Sequence, residues 1–120
     1  LKAMDAAGVQ RLICQSSLGI GDSRANLGFF TKHVVVGLFL RHAFADHDRQ
    51  EAVIKQSSLK WTIVRPPHLL DTPRTGVYRH GFPPTARDIK GKISRADVAD
   101  FMLKQLTDDS YVQKTPGVSY

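Results

Sequence analysis

Two short polar groups close apolar runs in this chain, and both carry side chains able to do chemistry. Ser16 and Ser17 follow Leu12-Ile13-Cys14, offering two hydroxyls that can donate to or accept from a ligand. Arg65-Pro66-Pro67-His68 follows Thr62-Ile63-Val64. That second group sets a permanent cation, two rigid rings and an imidazole that titrates near neutral pH side by side. Its neighbourhood, Trp61 to Gly76, begins with β-branched residues and ends in a loop broken by Pro66, Pro67 and Pro73, which forbid helix and deny donors to a sheet ladder. Prolines at a strand exit hold the path of the chain. If the two apolar runs are neighbouring strands, a hydroxyl and an imidazole converge on one cleft. The single Cys14 has no base beside it in sequence and reads as a small core residue.

The elements that must position these groups follow from periodicity and capping. Leu1, Met4 and Ala7 share one face of an opening helix that Gly8 stops. The run Leu12 to Cys14 is a buried strand ending near Ser16, and its exit is a loop rich in Gly, Ser, Asp and Asn. No proline occurs from Phe29 to Gln56, which predicts one or two helices there, although His33 to Val36 alone reads equally well as a strand. A second strand starts at Trp61, and another lies around Thr75 to Gly81. Ser94 followed by Asp97 is a serine-acid cap, so Val98, Phe101, Met102 and Leu106 form a helical stripe on a core. Val118 adds a short edge strand. This alternation predicts an α/β fold with a mainly parallel sheet flanked by helices, where ligands bind outside the carboxyl ends of strands.

Composition sets the outer limits. A chain of 120 residues can bury about two thirds of its unfolded surface, enough for one core. The longest apolar run, Val34 to Leu40, is broken by Gly37 and is far short of the ~18 residues a membrane span needs. No signal peptide is visible at the start, and one cysteine fits a reducing compartment, most simply the cytoplasm. No membrane partner is expected. The net charge is +6, and seven Lys/Arg stand against two Asp between Arg65 and Arg95. That excess is either a solvated basic face or a surface for a phosphate-bearing ligand. Recognition-helix motifs, zinc spacing and aromatic-interleaved basic strands are all missing, so nucleic acid is not expected as a partner.

The stretches "RLICQSSLGIGDSRANLGFF", "SSLKWTIVRPPHLLDTPRTG" and "ISRADVADFMLKQL" resemble the second half of the atypical short-chain dehydrogenase/reductases, the NAD(P)H-binding group that includes biliverdin-IXβ (flavin) reductase and the NmrA-like proteins. The resemblance covers almost the whole chain. It implies that residues 1–120 form the C-terminal portion of a Rossmann-like NAD(P)-binding domain, with the Gly-rich phosphate-binding half absent. The nearest glycine cluster, Gly19 and Gly21, follows the wrong strand for that role. The implied cofactor is NADP or NAD, NADPH being taken first.

The resemblance also implies site roles. Ser16, with Ser17 beside it, would hydrogen-bond the nicotinamide amide or the acceptor; Pro66 and Pro67 would wall the nicotinamide ring. His68 would orient the acceptor or donate a proton, so Ser16 and His68 are the implied catalytic pair. Arg65 stays open between a cofactor phosphate and an internal ion pair. Arg49 and Glu51 stand where the family's lysine is expected, and read as a solvated helix face. The Tyr-x-x-x-Lys pair of the best-known short-chain enzymes is absent, because Phe82 follows Tyr78 at that spacing and Thr115 follows Tyr111. The implied reaction is hydride transfer to a small-molecule flavin-, quinone- or tetrapyrrole-like acceptor, with positioning supplying most of the rate. Two other readings remain open: a non-catalytic NmrA-like dinucleotide sensor, and a truncated interaction module. A half sheet with an exposed edge also predicts self-association.

Overall fold

The computed structural model describes residues 1–18, 41–83 and 86–120. In chain order the elements are α1 (Lys2–Ala7), β1 (Arg11–Gln15), α2 (Arg41–Lys55), β2 (Lys60–Val64), β3 (His68–Leu70), β4 (Arg79–His80), β5 (Lys92–Ser94), α3 (Arg95–Lys104) and β6 (Val118–Ser119). The Gly19 and Gly21 loop and the apolar stretch 29–40 lie outside the described residues.

Strand β2 is the middle of the structure because both of its faces are covered. It pairs in parallel with β1, Leu12 opposite Trp61 and Cys14 opposite Ile63. On its other side it pairs with the C-terminal segment through Thr62–Lys114 and Arg65–Gly117 bridges. Alternation along the strand then sorts its side chains. Trp61 and Ile63 face α2, where Ile54 packs with them beside Leu12, Cys14 and Leu59. Val64 faces α3, joining Ile93, Val98, Phe101 and Val118. A parallel pair covered by a helix on each face explains why Trp61 to Val64 are all buried. Thr62 is buried inside this layer, and its hydroxyl donates to the Tyr111 carbonyl at 2.9 Å, which satisfies it.

Local signals placed the helices as expected. Gly8 takes φ 71° at the end of α1, with Gly8 N–H on the Asp5 carbonyl and Val9 N–H on the Met4 carbonyl, the left-handed stop for which glycine is suited. The Ser94 hydroxyl caps α3 by accepting from Asp97 N–H at 3.0 Å. Leu106 departs from the expected stripe: α3 ends at Lys104 and Leu106 is 53 % exposed, since the backbone tightens from Gln105 onward. Strands β3 and β5, which pair in parallel, were not expected. Three residues are too few to show a period.

Asp97 does more than favour a helix terminus. Its fully buried carboxylate accepts the backbone N–H groups of Thr75 at 3.0 Å and Gly76 at 2.9 Å. The hydroxyls of Thr75 and Tyr120 donate to its other oxygen. One carboxylate thus ties the loop after β3 and the last residue of the chain to the start of α3. Burial pushes its pKa up, but the hydrogen bonds from Tyr120, Thr75 and Gly76 outweigh burial and hold it well below the usual carboxylate range. Because the folded value lies under the unfolded one, the contribution is complete above about pH 4 and is lost as the pH falls toward the folded value. Asp97→Asn should lose about 1–3 kcal/mol at neutral pH and show a shallower loss of stability below pH 4 than the parent chain. Urea unfolding at pH 6, 4 and 3 measures this; parallel acid limbs in the two proteins would refute it.

Candidate functional site

β1 and β2 are neighbours, so their exits lie together. Ser16 N–H donates to the Val64 carbonyl at 2.7 Å and Leu18 N–H to the Pro66 carbonyl at 2.9 Å, so the chain leaving β1 runs alongside the chain leaving β2. Both exits lie at the carboxyl end of the parallel pair, where α/β sheets bind ligands.

Ser16 is 4 % exposed, and its hydroxyl has no hydrogen-bond partner among the described residues. The contrast with its peers is sharp. Thr62, Ser94 and Ser119 are also buried, and each hydroxyl makes a hydrogen bond. A buried hydroxyl without a partner is disfavoured by about 1–3 kcal/mol, and a ligand amide reaching it would recover that loss. Ser17 is less open to such a role, because its hydroxyl donates locally to the Leu18 carbonyl at 3.1 Å. Pro66 is fully buried, whereas Pro67 is half-buried, so Pro67 is the proline with surface to offer a ring. His68 is exposed at the start of β3, opposite Lys92 of β5. The side chains of Ser16 and His68 share the strand exits without a hydrogen bond between them.

Arg65 resolves to the internal reading, which corrects its assignment as a cofactor ligand. Its guanidinium is 1 % exposed and donates twice to Glu51, Nε at 3.2 Å and Nη2 at 2.6 Å. Alternation after Ile63 carries Arg65 to the α2 face, and α2 answers it with Glu51, one turn before Ile54. Glu51 is therefore not part of a solvated face: it is 3 % exposed. Arg49 is solvated and paired with Asp46. Sequence reasoning missed Glu51 because a charged run on a helix reads as exposed; the i, i+3 spacing of Glu51 and Ile54 on one face was the available signal. Lys92 was missed with the short strand that carries it. Cys14 is partly buried, and burial, then the nearby Glu51 carboxylate, push its thiol up, which removes it as a nucleophile.

The three tyrosines are engaged elsewhere. Tyr78 donates to Asp100 at 2.7 Å and Tyr120 to Asp97, while the Tyr111 hydroxyl meets His80 Nδ1 at 2.7 Å. Burial, then the Asp100 hydrogen bond, push Tyr78 far up. None stands at the strand exits as a general acid. Among the described residues no cluster of His, Cys, Asp or Glu is placed to hold a metal ion, and no helix is long and apolar enough to cross a membrane.

With this geometry the comparisons fall into place. Residues 1–109 match the family model described as NAD(P)H-binding. The chain belongs to this NAD(P)H-binding family. It sits among the atypical short-chain dehydrogenase/reductases, with a Rossmann-like α/β fold. Solved structures agree. ChuY from one Escherichia coli strain shares 27 % identity at a TM-score of 0.81, covering 98 % of this chain and 56 % of that one. ChuY from a second E. coli strain, described as an anaerobilin reductase, gives 26 % and 0.78 over 98 % and 53 %. A short-chain dehydrogenase/reductase from Veillonella parvula, solved with NADP, shares the fold at 23 % identity and TM-score 0.76 over 99 % and 54 %. The chain spans about half the length of these structures.

The buried ion pair makes a specific prediction. Glu51→Ala leaves the Arg65 guanidinium buried without its partner and should destabilise the chain by about 3–5 kcal/mol. Removing both charges, as Glu51→Leu with Arg65→Met, should recover most of that loss. Equilibrium unfolding of the single and double variants decides it; a single variant within about 1 kcal/mol of the parent would contradict the pairing.

Proposed function

We propose that this chain forms the nicotinamide side of an NAD(P)H-dependent reductase that passes hydride to a flavin-, quinone- or tetrapyrrole-like acceptor. The observation that carries the reading is the buried, unpartnered Ser16 hydroxyl beside the Pro66-Pro67 exit in a chain of the NAD(P)H-binding family. The anaerobilin reductase neighbour supports a reductase and a tetrapyrrole-like acceptor. When bound, the nicotinamide supplies a hydride; overall, NAD(P)H, one acceptor and one proton become NAD(P)⁺ and the reduced acceptor.

The residues of this chain do the positioning. Ser16 holds the carboxamide, which fixes the ring face turned toward the acceptor, and Pro67 offers the ring an apolar wall. His68, exposed at the rim, holds the proton or orients the acceptor. With all three tyrosine hydroxyls tied to other partners, His68, among the described residues, or solvent is left to supply that proton. In this reading the 120 residues act as the half of the domain that does not carry the Gly-rich phosphate turn. A non-catalytic dinucleotide sensor is the competing reading, favoured by the absent Tyr-x-x-x-Lys pair.

Ser16→Ala separates these roles from mere structure. Removing an unpartnered buried hydroxyl should leave the free chain as stable or up to about 1 kcal/mol more stable. NADPH at about a hundred times its Kd should stabilise the parent by about 2.7 kcal/mol and Ser16→Ala by distinctly less, followed by thermal unfolding and Trp61 fluorescence. A reductase further loses about tenfold in NADPH oxidation with the substitution, whereas a sensor has no turnover to lose. An upward shift in neither protein would reject the cofactor site.

A further inference from the structure

We propose that the acceptor is an anion, and that Lys92 and His68 seat its carboxylate or phosphate at the rim of the cleft. This rests on the reductase reading above and names the substrate class for that site.

The register of the short parallel pair carries the proposal. His68 lies opposite Lys92, and the next pair is Leu69 opposite Ile93. Paired residues of neighbouring strands share a face, and successive residues alternate. Ile93 is fully buried, with Leu69 packed on the same core, so His68 and Lys92 project together from the other face. Both are exposed. The backbone holds them there: His68 N–H donates to the Gly91 carbonyl, and the Lys92 carbonyl accepts from Tyr120 N–H at 3.0 Å. Lys90, two residues before, is anchored in turn through its N–H to the Tyr120 carbonyl.

The charge pattern points the same way. Four arginines of the basic stretch 65–95 are matched to carboxylates of this chain: Arg65 to Glu51, Arg74 to Asp100, Arg79 to Asp88 and Arg95 to Asp71. Lys90, Lys92 and His68 form no ion pair with any described residue. The lysines of this stretch therefore lie on β5 or just before it, and its partner β3 begins two residues past Pro66, whose carbonyl accepts from Leu18 N–H. In this fold the cofactor phosphates bind at a Gly-rich turn after the first strand of the domain, a turn this chain does not contain. An anion recognised beside the nicotinamide end belongs to the acceptor. Two cationic or N–H donors side by side suit a carboxylate or a phosphate monoester.

The test compares acceptors that differ only in charge. FMN and riboflavin share a ring system and differ by one phosphate, and a linear tetrapyrrole dicarboxylate differs from its dimethyl ester by two carboxylates. Binding to the full chain is read by fluorescence quenching. At low salt the anionic member of at least one pair should bind about tenfold tighter than its neutral partner, with the gap narrowing at 0.3 M salt. Lys92→Ala should collapse that discrimination; Lys60→Ala, at the amino end of β2, should leave it intact. Preference within the flavin pair assigns a phosphate, and preference within the tetrapyrrole pair a carboxylate. Equal binding in both pairs, or discrimination that survives Lys92→Ala, overturns the proposal. Failure to bind any of the four ligands overturns it equally. NADPH oxidation with the same four ligands tests the reductase reading separately: turnover without charge discrimination keeps that reading and removes the anion seat, whereas Lys92-dependent discrimination without turnover does the reverse.

Discussion

A guanidinium placed in the interior constrains everything built around it. Arg65 comes directly after β2, and alternation turns it inward, toward α2. A buried cation without a partner is strongly disfavoured, so α2 must dock with Glu51 opposite the end of β2 and nowhere else. That docking sets Ile54, one turn later, on Trp61 and Ile63. The backbone of the same residue is held as tightly. Its N–H donates to the Pro116 carbonyl and its carbonyl accepts from Val118 N–H, which brings the C-terminal segment against the free side of β2. One residue thus joins a strand, a helix and the end of the chain. Pro66 and Pro67 follow from an anchored point, so the path of the chain out of β2 is fixed by the core beneath it.

A second buried charge organises the opposite face. Asp97 forms no ion pair among the described residues; hydroxyl and amide donors surround it, which is the arrangement that keeps a buried carboxylate ionised. The two anchors differ in kind. Arg65–Glu51 joins elements that an apolar core already brings close, whereas Asp97 orders a loop with little apolar area, since Asp71 to Thr75 and Val77 are exposed. The same network takes up Tyr120, and the neighbouring carboxylate of Asp100 takes up Tyr78, Arg74 and Lys104. These polar contacts hold the Tyr78 and Tyr120 hydroxyls away from any chemistry at the strand exits.

What the sequence made legible is what depends on nearest neighbours. The apolar runs, the Gly8 stop, the Ser94 cap and the convergence of Ser16 with the Pro66 exit could be read because each rests on a local rule. Pairings across the fold could not. Glu51 lies fourteen residues before Arg65, in a helix where the charges of Asp46 and Arg49 are solvated. Nothing local tells the buried acid from the exposed ones. Strands β3 and β5 exist because they pair with each other, not because three residues prefer extended backbone. Asp97 was visible as a helix-start acid, but its hold on Thr75 and Tyr120 is a tertiary fact.

The distribution of satisfied and unsatisfied groups separates structure from function more clearly than residue type does. Within the stretch 65–95, the arginines with described carboxylate partners serve the fold, and the lysines without one are left to the solvent or a ligand. Among the buried hydroxyls, Thr62, Ser94 and Ser119 are consumed by the fold, and Ser16 is not. Folding alone gives no reason to bury a hydroxyl without a partner, because alanine would pack there with less penalty. Three of the unmatched groups follow the carboxyl ends of β1 and β2: Ser16 at the exit of β1, and His68 and Lys92 on the strand pair beyond the exit of β2. In the proposed function, Ser16 at the exit of β1 and the His68–Lys92 pair beyond the exit of β2 are the groups that a bound dinucleotide and its acceptor would complete.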